Sequence, residues 1–412
     1  MSLLDLSALL LTLAALFGYL NHRFIGLPTT IGIMVITMVL SLVMVLFGKF
    51  GLHWGEEAAI SLLGDIDFDE ALMNGMLSFL LFAGALHVDI AELARHRLII
   101  AVLATGGVVF TTFAVGTLSW LLFPFLGLAV DYGYCLLFGA LIAPTDPVAV
   151  LAIMRTTNVS KSLRTKVAGE SLFNDGVAVV VFLVISGSVL SGEAVTVTGV
   201  LKLFAIEAIG GVVYGFIIGW FCFHLLKSVD NYQIEVLLTL ALVMGGYSLA
   251  SHLHISGPLA MVVAGLYIGN RGRRDAMSDR TREHLDNFWE LIDEILNSVL
   301  FLLIGLEVLA VAADLHVLTA GLLIIPMVLL ARFTSVGVPV MVLKRFREFS
   351  PGAVRVLTWG GLRGGISVAM ALSLPAGEER DLLVSIAYVV VVFSIVVQGL
   401  TLRRVVASVS SS

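Results

Sequence analysis

Apolar runs of helical length recur along almost the whole chain, separated by short polar or charged connections. A helix needs about 20 such residues to cross the hydrocarbon of a bilayer. On that spacing the pattern predicts thirteen spans, over about 3–20, 27–47, 71–88, 98–122, 132–154, 165–190, 198–225, 234–251, 256–270, 287–311, 316–342, 352–374 and 382–401. The expected fold class is an all-α polytopic membrane protein with about 13 transmembrane helices.

Composition sharpens this reading. The chain of 412 residues is 59% hydrophobic and 13% charged, where a soluble domain carries about 25% charged residues. The first run, "MSLLDLSALLLTLAALFGYL", holds Asp5 in place of a basic n-region and lacks a small-residue cleavage site, so it reads as a retained first span. Cys135 and Cys222 lie in separate apolar segments without metal-ligand spacing and read as small buried hydrophobes. No cofactor and no nucleic-acid partner is expected; the partners in view are the lipid bilayer and a transported ion.

The net charge of -6 matters less than where the charges fall. Short cytoplasmic loops are enriched in Lys and Arg. With the N-terminus outside, nineteen of the 24 basic residues fall in inner connections. Lys49, Lys202 and Arg380 fall outside, and Arg332 and Arg363 sit within spans. The acidic loop "GDIDFDEA" (64–71), Asp131, Glu193 and the cluster of Glu378, Glu379 and Asp381 also land outside. The expected topology is N-terminus outside, C-terminus cytoplasmic.

An odd number of spans allows two inverted six-helix repeats joined by one helix, a design common in secondary transporters. Span 7 would be the joiner, making spans 5 and 12 equivalent. Both carry helix-breaking sequence, "APTDPVA" (143–149) and "WGGLRGGIS" (359–367). The second is no nucleotide loop, since it does not follow a strand. Interrupted helices in matching positions point to a binding site at the bilayer midplane.

Pro144 and Pro147 each remove a backbone donor and free carbonyls around Thr145 and Asp146. Such carbonyls persist at membrane depth only where they line a cavity or meet a partner. A carboxylate, a hydroxyl and exposed carbonyls together suit a hard cation. In "GESLFND", helical spacing puts Ser171 and Asp175 about 40° apart, with Glu170 and Asn174 as a neighbouring pair. One edge is expected to face the Asp146 break and the other a different helix. Asp175 is the natural second carboxylate of a cation site. Glu170 is expected to be neutralised by an intramembrane arginine, either Arg332 in "LLARFTSV" or Arg363 in "GLRGG". Among weaker signals, Glu307 falls near the outer end of span 10, His254 reads as an interfacial histidine, and 271–288, with its mixed charges, reads as a solvated connection, with a surface helix at the inner face as the alternative. The "GALIA" run (139–143) and Gly210 with Gly211 suit close helix contact.

Taken together, "TDPVA", "GESLFNDGVAVVVF", "HISGPLAMVVAGL", "LFLLIGLEV" and "WGGLRGGISVAMAL" resemble the NhaP-type sodium/proton antiporters, prokaryotic relatives of the animal sodium/hydrogen exchangers. The resemblance runs from span 3 to span 13. It implies crossed broken helices 5 and 12, a homodimer, and elevator-like movement of a six-helix core. The corresponding division is scaffold and dimerisation helices over 1–96 and 231–314, transport core over 97–191 and 315–412, and a linker helix over 192–230. It also implies that Asp175 binds the ion and the proton, and that Asp146, Thr145 and Ser171 complete a Na+ site. Asn174 stands where electrogenic relatives carry aspartate, and Glu170 would pair with Arg332. At Ala83, in "LLFAGALHVD", many bacterial relatives carry a glutamate that this chain lacks.

The expected function is exchange of a monovalent cation, Na+ with Li+ as a second candidate, for H+ across the plasma (inner) membrane of a prokaryote. Cation and proton would compete for Asp175 and Asp146, and a neutral Asn174 suggests electroneutral 1:1 exchange. A K+/H+ antiporter is the nearest alternative, and a passive cation channel would use the same ligands. An intramembrane aspartyl protease would need Gly-x-Gly-Asp and Tyr-Asp, which the chain lacks, and no enzyme activity is expected. The short C-terminus, "RRVVASVSSS", argues against a ligand-gated efflux system.

Overall fold

The structure is a computed structural model and describes residues 3–49, 75–155, 157, 159–191, 205–307, 315–345, 349–350 and 352–410. The acidic loop at 64–71, Glu193 and Lys202 lie outside the described residues. Among the described residues, all regular structure is helical. Eight helices there are long and apolar enough to cross a membrane: Leu4–Ile25, Thr29–Phe47, Arg97–Leu126, Lys161–Leu190, Ala205–Lys227, Tyr232–His252, His316–Leu343 and Glu378–Val409. The chain is a multi-pass membrane protein.

In chain order the helices are α1 (Leu3–Leu20), α2 (Thr29–Lys49), α3 (Leu77–Leu86), α4 (Ile90–Arg95), α5 (Gly107–Leu122) and α6 (Tyr132–Ile142). They continue as α7 (Val148–Arg155), α8 (Lys161–Ser191), α9 (Gly210–Lys227), α10 (Tyr232–His252), α11 (Gly257–Tyr267) and α12 (Asp279–Leu306). The last are α13 (Leu315–Leu343), α14 (Ala353–Trp359), α15 (Gly365–Leu372), α16 (Glu378–Phe393) and α17 (Leu400–Ser410), and short unnumbered helices lie at Arg97–Ala101 and Arg273–Asp275. Helix therefore gives way to extended chain between α6 and α7 and again between α14 and α15, where the sequence placed its two breaks.

One expectation is corrected in favour of its alternative. The segment 271–288, read as a solvated connection in preference to a surface helix, is helical from Asp279 onward. The Ser278 side chain accepts a hydrogen bond from the Thr281 amide and so caps the helix start. This first part of α12 also has something to bury, since Thr281 is 4% and Leu285 0% exposed. Just beyond it, Trp289 packs in a tilted arrangement at 4.7 Å on Phe82 of α3 and donates its indole N–H to Thr239 Oγ1 of α10 at 3.1 Å. A loop would leave that face unpacked, so tertiary burial extends the helix past the end of the apolar run.

The small-residue stretches do allow close approach. A methyl group on Gly139 of α6 would overlap the Thr112 carbonyl of α5, and one on Gly116 would come 2.9 Å from the Cys135 carbonyl. Gly210 and Gly211 meet Ile255 and Ser256 in the same way, each at 2.7 Å. Both cysteines are buried and free.

The largest apolar cluster joins Phe17, Met34, Met154, Phe301, Val340 and Leu357, drawn from α1, α2, α7, α12, α13 and α14. Two further clusters are more local. One cluster joins Val115, Phe138, Phe182, Ile324, Met370 and Ala387, drawn from α5, α6, α8, α13, α15 and α16. Another joins Phe82, Phe223, Val243, Met261 and Trp289, drawn from α3, α9, α10, α11 and α12. A cavity lies where these two groups of helices face each other.

Candidate functional site

The two helix breaks touch. Asp146 donates its backbone N–H to the Leu362 carbonyl at 2.7 Å, joining the first break to the second. Arg363 Nη1 donates back to the carbonyls of Ala143 at 2.7 Å and Pro144 at 2.9 Å. These acceptors lie in the stretch where Pro144 and Pro147 interrupt the helix, so Arg363 meets backbone polar groups that have no helical partner. The second break is held in turn by Ser394, which accepts the Arg363 N–H at 2.9 Å and donates to Gln398 Oε1 at 2.8 Å. Gln398 then donates to the Trp359 carbonyl at 3.0 Å, at the end of α14.

Asp146 starts α7 as its own cap, its Oδ1 accepting the Val148 amide at 2.8 Å. Gly364 packs against the same carboxylate, and a Cβ there would lie 2.6 Å from Asp146 Oδ2. This is a position where glycine is required by close approach.

On α8 the four polar residues divide differently from the sequence expectation. Thr145 Oγ1 lies 3.0 Å from Ser171 Oγ and accepts from Asn174 Nδ2 at 2.8 Å, while the Thr145 amide donates to Asn174 Oδ1 at 3.4 Å. Asn174 thus faces the break beside Ser171, and is not turned away with Glu170. A primary amide can give and take hydrogen bonds at once, and the Thr145 hydroxyl and amide present the matching pair. Glu170 alone faces α13, where it forms a buried ion pair with Arg332. Arg332 Nη1 donates to Glu170 Oε1, and Nη2 donates to Glu170 Oε2 at 3.0 Å and to the Leu357 carbonyl at 3.0 Å. Of the two arginines that the residues left open, Arg332 takes the carboxylate and Arg363 takes the backbone.

Asp146 and Asp175 both line the cavity between the two groups of helices, a space of about 720 Å³. Asp175 is 5% exposed, and its Oδ1 is without a hydrogen-bond partner. At one end the lining includes the exposed residues Asp89 and Lys161, which form an ion pair at 3.3 Å. The site is therefore connected to one face of the molecule. Its chemistry is that of carboxylate, hydroxyl and backbone oxygens, which suits a hard monovalent cation or a proton. Glu307 caps the end of α12, and His254 lies on the surface with a φ of 52°. Neither lines the cavity. Ala83 does, so the position of the missing glutamate faces this space.

Several lining residues were not singled out from sequence. Glu290, Asp293, Glu294 and Asn297 of α12 run along the cavity wall. Their spacing of three and four residues in "ELIDEILN" is the signal that marks one face of a helix, hidden because the predicted span began there as an apolar run. Ser367 of α15 is a second omission, and nothing in its local sequence distinguishes it from a helix-packing serine.

Residues 11–408 match the family described as "Sodium/hydrogen exchanger, transmembrane". The chain is 51% identical to the Na(+)/H(+) antiporter NhaP of Pseudomonas aeruginosa over 409 residues, covering 98% of this chain and 96% of that one. It is 35% identical to the Na(+)/H(+) antiporter NhaH of Halobacillus dabanensis over 348 residues, 82% of this chain and 83% of that one. Its fold is similar to the sodium proton antiporter MjNhaP1 from Methanocaldococcus jannaschii at pH 8, with a TM-score of 0.76, 19% identity and 98% of both chains covered. The interlocked breaks, the carboxylates beside them and the match along nearly the whole length agree: this chain belongs to the sodium/hydrogen exchanger family.

Proposed function

We propose that the protein is a secondary antiporter that exchanges Na+, with Li+ as a second substrate, for H+. The observation that carries this reading is the convergence of Asp146 and Asp175 on one cavity, with Asp175 Oδ1 lacking a hydrogen-bond partner among the described residues. A buried carboxylate is costly when left charged and alone. It is neutralised by a proton or compensated by a cation, and one carboxylate cannot hold both. Competition at Asp175, assisted by Asp146, Ser171 and Thr145, then exchanges one for the other without ATP. The empty deprotonated site carries uncompensated charge and is the state that crosses least easily, which suppresses leak.

The rest of the reading follows the family's inverted-repeat design. Spans 1–6 and 8–13 form two six-helix repeats of opposite topology, and the chain works as a homodimer in a prokaryotic inner membrane with its N-terminus outside. By the same design the 97–191 and 315–412 helices move elevator-like against the 1–96 and 231–314 helices, and the cavity is lined from both sets. In this topology Asp89 and Lys161 lie on the cytoplasmic side, so the cavity faces inward. Asn174, uncharged and committed to Thr145, favours electroneutral 1:1 exchange.

The test is dissipation of a pH gradient in proteoliposomes on addition of Na+, Li+ or K+ in turn. Wild-type protein is expected to move protons with Na+ and Li+, and Asp175→Ala to insert normally and move none. Proton flux driven by K+ alone would transfer the reading to a K+/H+ antiporter. Robust Na+-driven proton flux in Asp175→Ala, or a membrane current during turnover, would remove the site assignment or the electroneutral stoichiometry respectively.

A further inference from the structure

A helical serine ordinarily satisfies its hydroxyl by donating to a carbonyl three or four residues earlier. Ser335 does so to Arg332 and Ser373 to Met370, at 3.0 and 2.9 Å. Ser367 does not follow this habit. It lies in the first turn of α15, so the residue four positions earlier is Arg363, inside the break. The carbonyl three positions earlier, on Gly364, accepts the Ser367 backbone amide at 3.3 Å but not its hydroxyl, whereas the Leu225 carbonyl takes both the amide and the hydroxyl of Ser228. The result is a hydroxyl on a residue 1% exposed, without a hydrogen-bond partner among the described residues. Leaving a buried hydroxyl unpaired costs about 1–3 kcal/mol.

The position of that hydroxyl gives it a use. Among the described residues, two buried side-chain oxygens without a partner line the cavity, Asp175 Oδ1 and Ser367 Oγ. Ser367 also stands one helical turn beyond Gly364, whose backbone presses on the Asp146 carboxylate, so both belong to one face of α15. An unpaired oxygen on a residue that lines the same cavity as two carboxylates has the chemistry of a ligand to a hard cation.

We infer that Ser367 is a further cation-positioning residue, contributing a hydroxyl ligand from α15 to the ion held by Asp146 and Asp175. The inference rests on the antiport reading and deepens it. The first break and α8 then supply Asp146, Asp175, Ser171 and Thr145, and the second break supplies Ser367. Both broken helices close on the same ion, and a cation arriving at the carboxylates relieves an unpaired hydroxyl that a proton on Asp175 does not need.

The experiment compares wild type, Ser367→Ala, Ser367→Thr, Ser367→Cys and Asp175→Ala in two assays. The first is stabilisation of detergent-solubilised protein against heating by NaCl, with choline chloride at matched ionic strength as reference, since a ligand that binds only the folded state raises its stability. The second is Na+-dependent proton flux in proteoliposomes across pH. Ser367→Ala is expected to be at least as stable as wild type in choline, because it removes an unpaired polar group. It should require about three- to tenfold more Na+ for half-maximal stabilisation and raise the apparent KM for Na+ by a similar factor, with the maximal rate within about twofold, as expected for loss of one ligand oxygen. Under single-site competition the acid limb of the pH profile at fixed Na+ then moves to higher pH, by about half a unit to one unit for that change. Threonine should restore wild-type values, and cysteine, with a soft sulfur, should behave as alanine.

Wild-type exchange with Ser367→Ala unmoved in half-maximal Na+ and in pH profile overturns this inference alone. Variants that bind Na+ as wild type but lose maximal rate overturn it in favour of a structural role. A wild type whose stability no monovalent cation changes, and which moves no protons, overturns both this inference and the antiport reading.

Discussion

Glu170→Gln isolates the buried ion pair that ties α8 to α13. In the native protein Arg332 gives two hydrogen bonds to the carboxylate and one to the Leu357 carbonyl, its Nε remains without a partner, and both side chains are at most 7% exposed. The substitution keeps the shape and one acceptor oxygen but leaves the guanidinium charge without its counter-ion. Removing one member of a buried pair costs about 3–5 kcal/mol. Coulomb's law at an effective dielectric of about 20 gives about 4 kcal/mol at 4 Å, the same order. The expected result is a large fall in folded yield and in the temperature at which solubilised protein loses its monodisperse elution profile. Replacing both partners, as Glu170→Gln with Arg332→Met, should recover much of the loss, since two neutral groups carry no unpaired buried charge. A monodisperse Glu170→Gln protein that melts with wild type, or a double variant whose loss equals the sum of the singles, would refute the reasoning.

Three further outcomes follow from the geometry. Gly364→Ala sets a methyl group 2.6 Å from Asp146 Oδ2, so it should cost about 1–3 kcal/mol by overpacking and shift Na+ affinity, measured by the same cation-dependent melting. Asn174→Ala removes both hydrogen bonds to Thr145 and leaves a buried hydroxyl and amide underused, for about 1–3 kcal/mol; Asn174→Asp, which keeps the acceptor but not the donor, should be intermediate in folded yield. At the cavity rim, the Asp89 carboxylate is held below the usual range chiefly by the Glu92 backbone N–H, and less by Lys161 and the Ala91 amide. Its contribution is therefore present above its unfolded value, about 3.9, and is lost as pH falls through the lower folded value. Asp89→Asn should leave melting at neutral pH nearly unchanged, because the site is exposed and an asparagine still caps α4, and should flatten the fall below about pH 4; an equal loss at all pH values would contradict the assignment.

Much of the architecture is written locally. Hydrophobic length places the spans, prolines and paired glycines place the two interruptions, and helical spacing puts Ser171 and Asp175 on one edge. These follow from near-neighbour geometry and from the solvent, since a bilayer requires each crossing segment to satisfy its own backbone. Tertiary structure decided what happens across long sequence separations. Arg332 reaches Glu170 from 162 positions away, and Arg363 reaches the Ala143 carbonyl from 220. Either arginine has the charge to pair with Glu170, and only the crossing of the breaks assigns one to the carboxylate and the other to the backbone. Asn174 turned to Thr145 for the same reason, because the unpaired amide and hydroxyl of the break lie on that side. The early start of α12 goes with the burial of Thr281 and Leu285 against neighbouring helices, which the hydropathy of 279–286 does not register. Ser367 is the limiting case. A serine in an apolar helix looks alike whether or not it bonds its own backbone, and only the tertiary structure puts Ser367 on the lining of the cavity with its hydroxyl unpaired among the described residues.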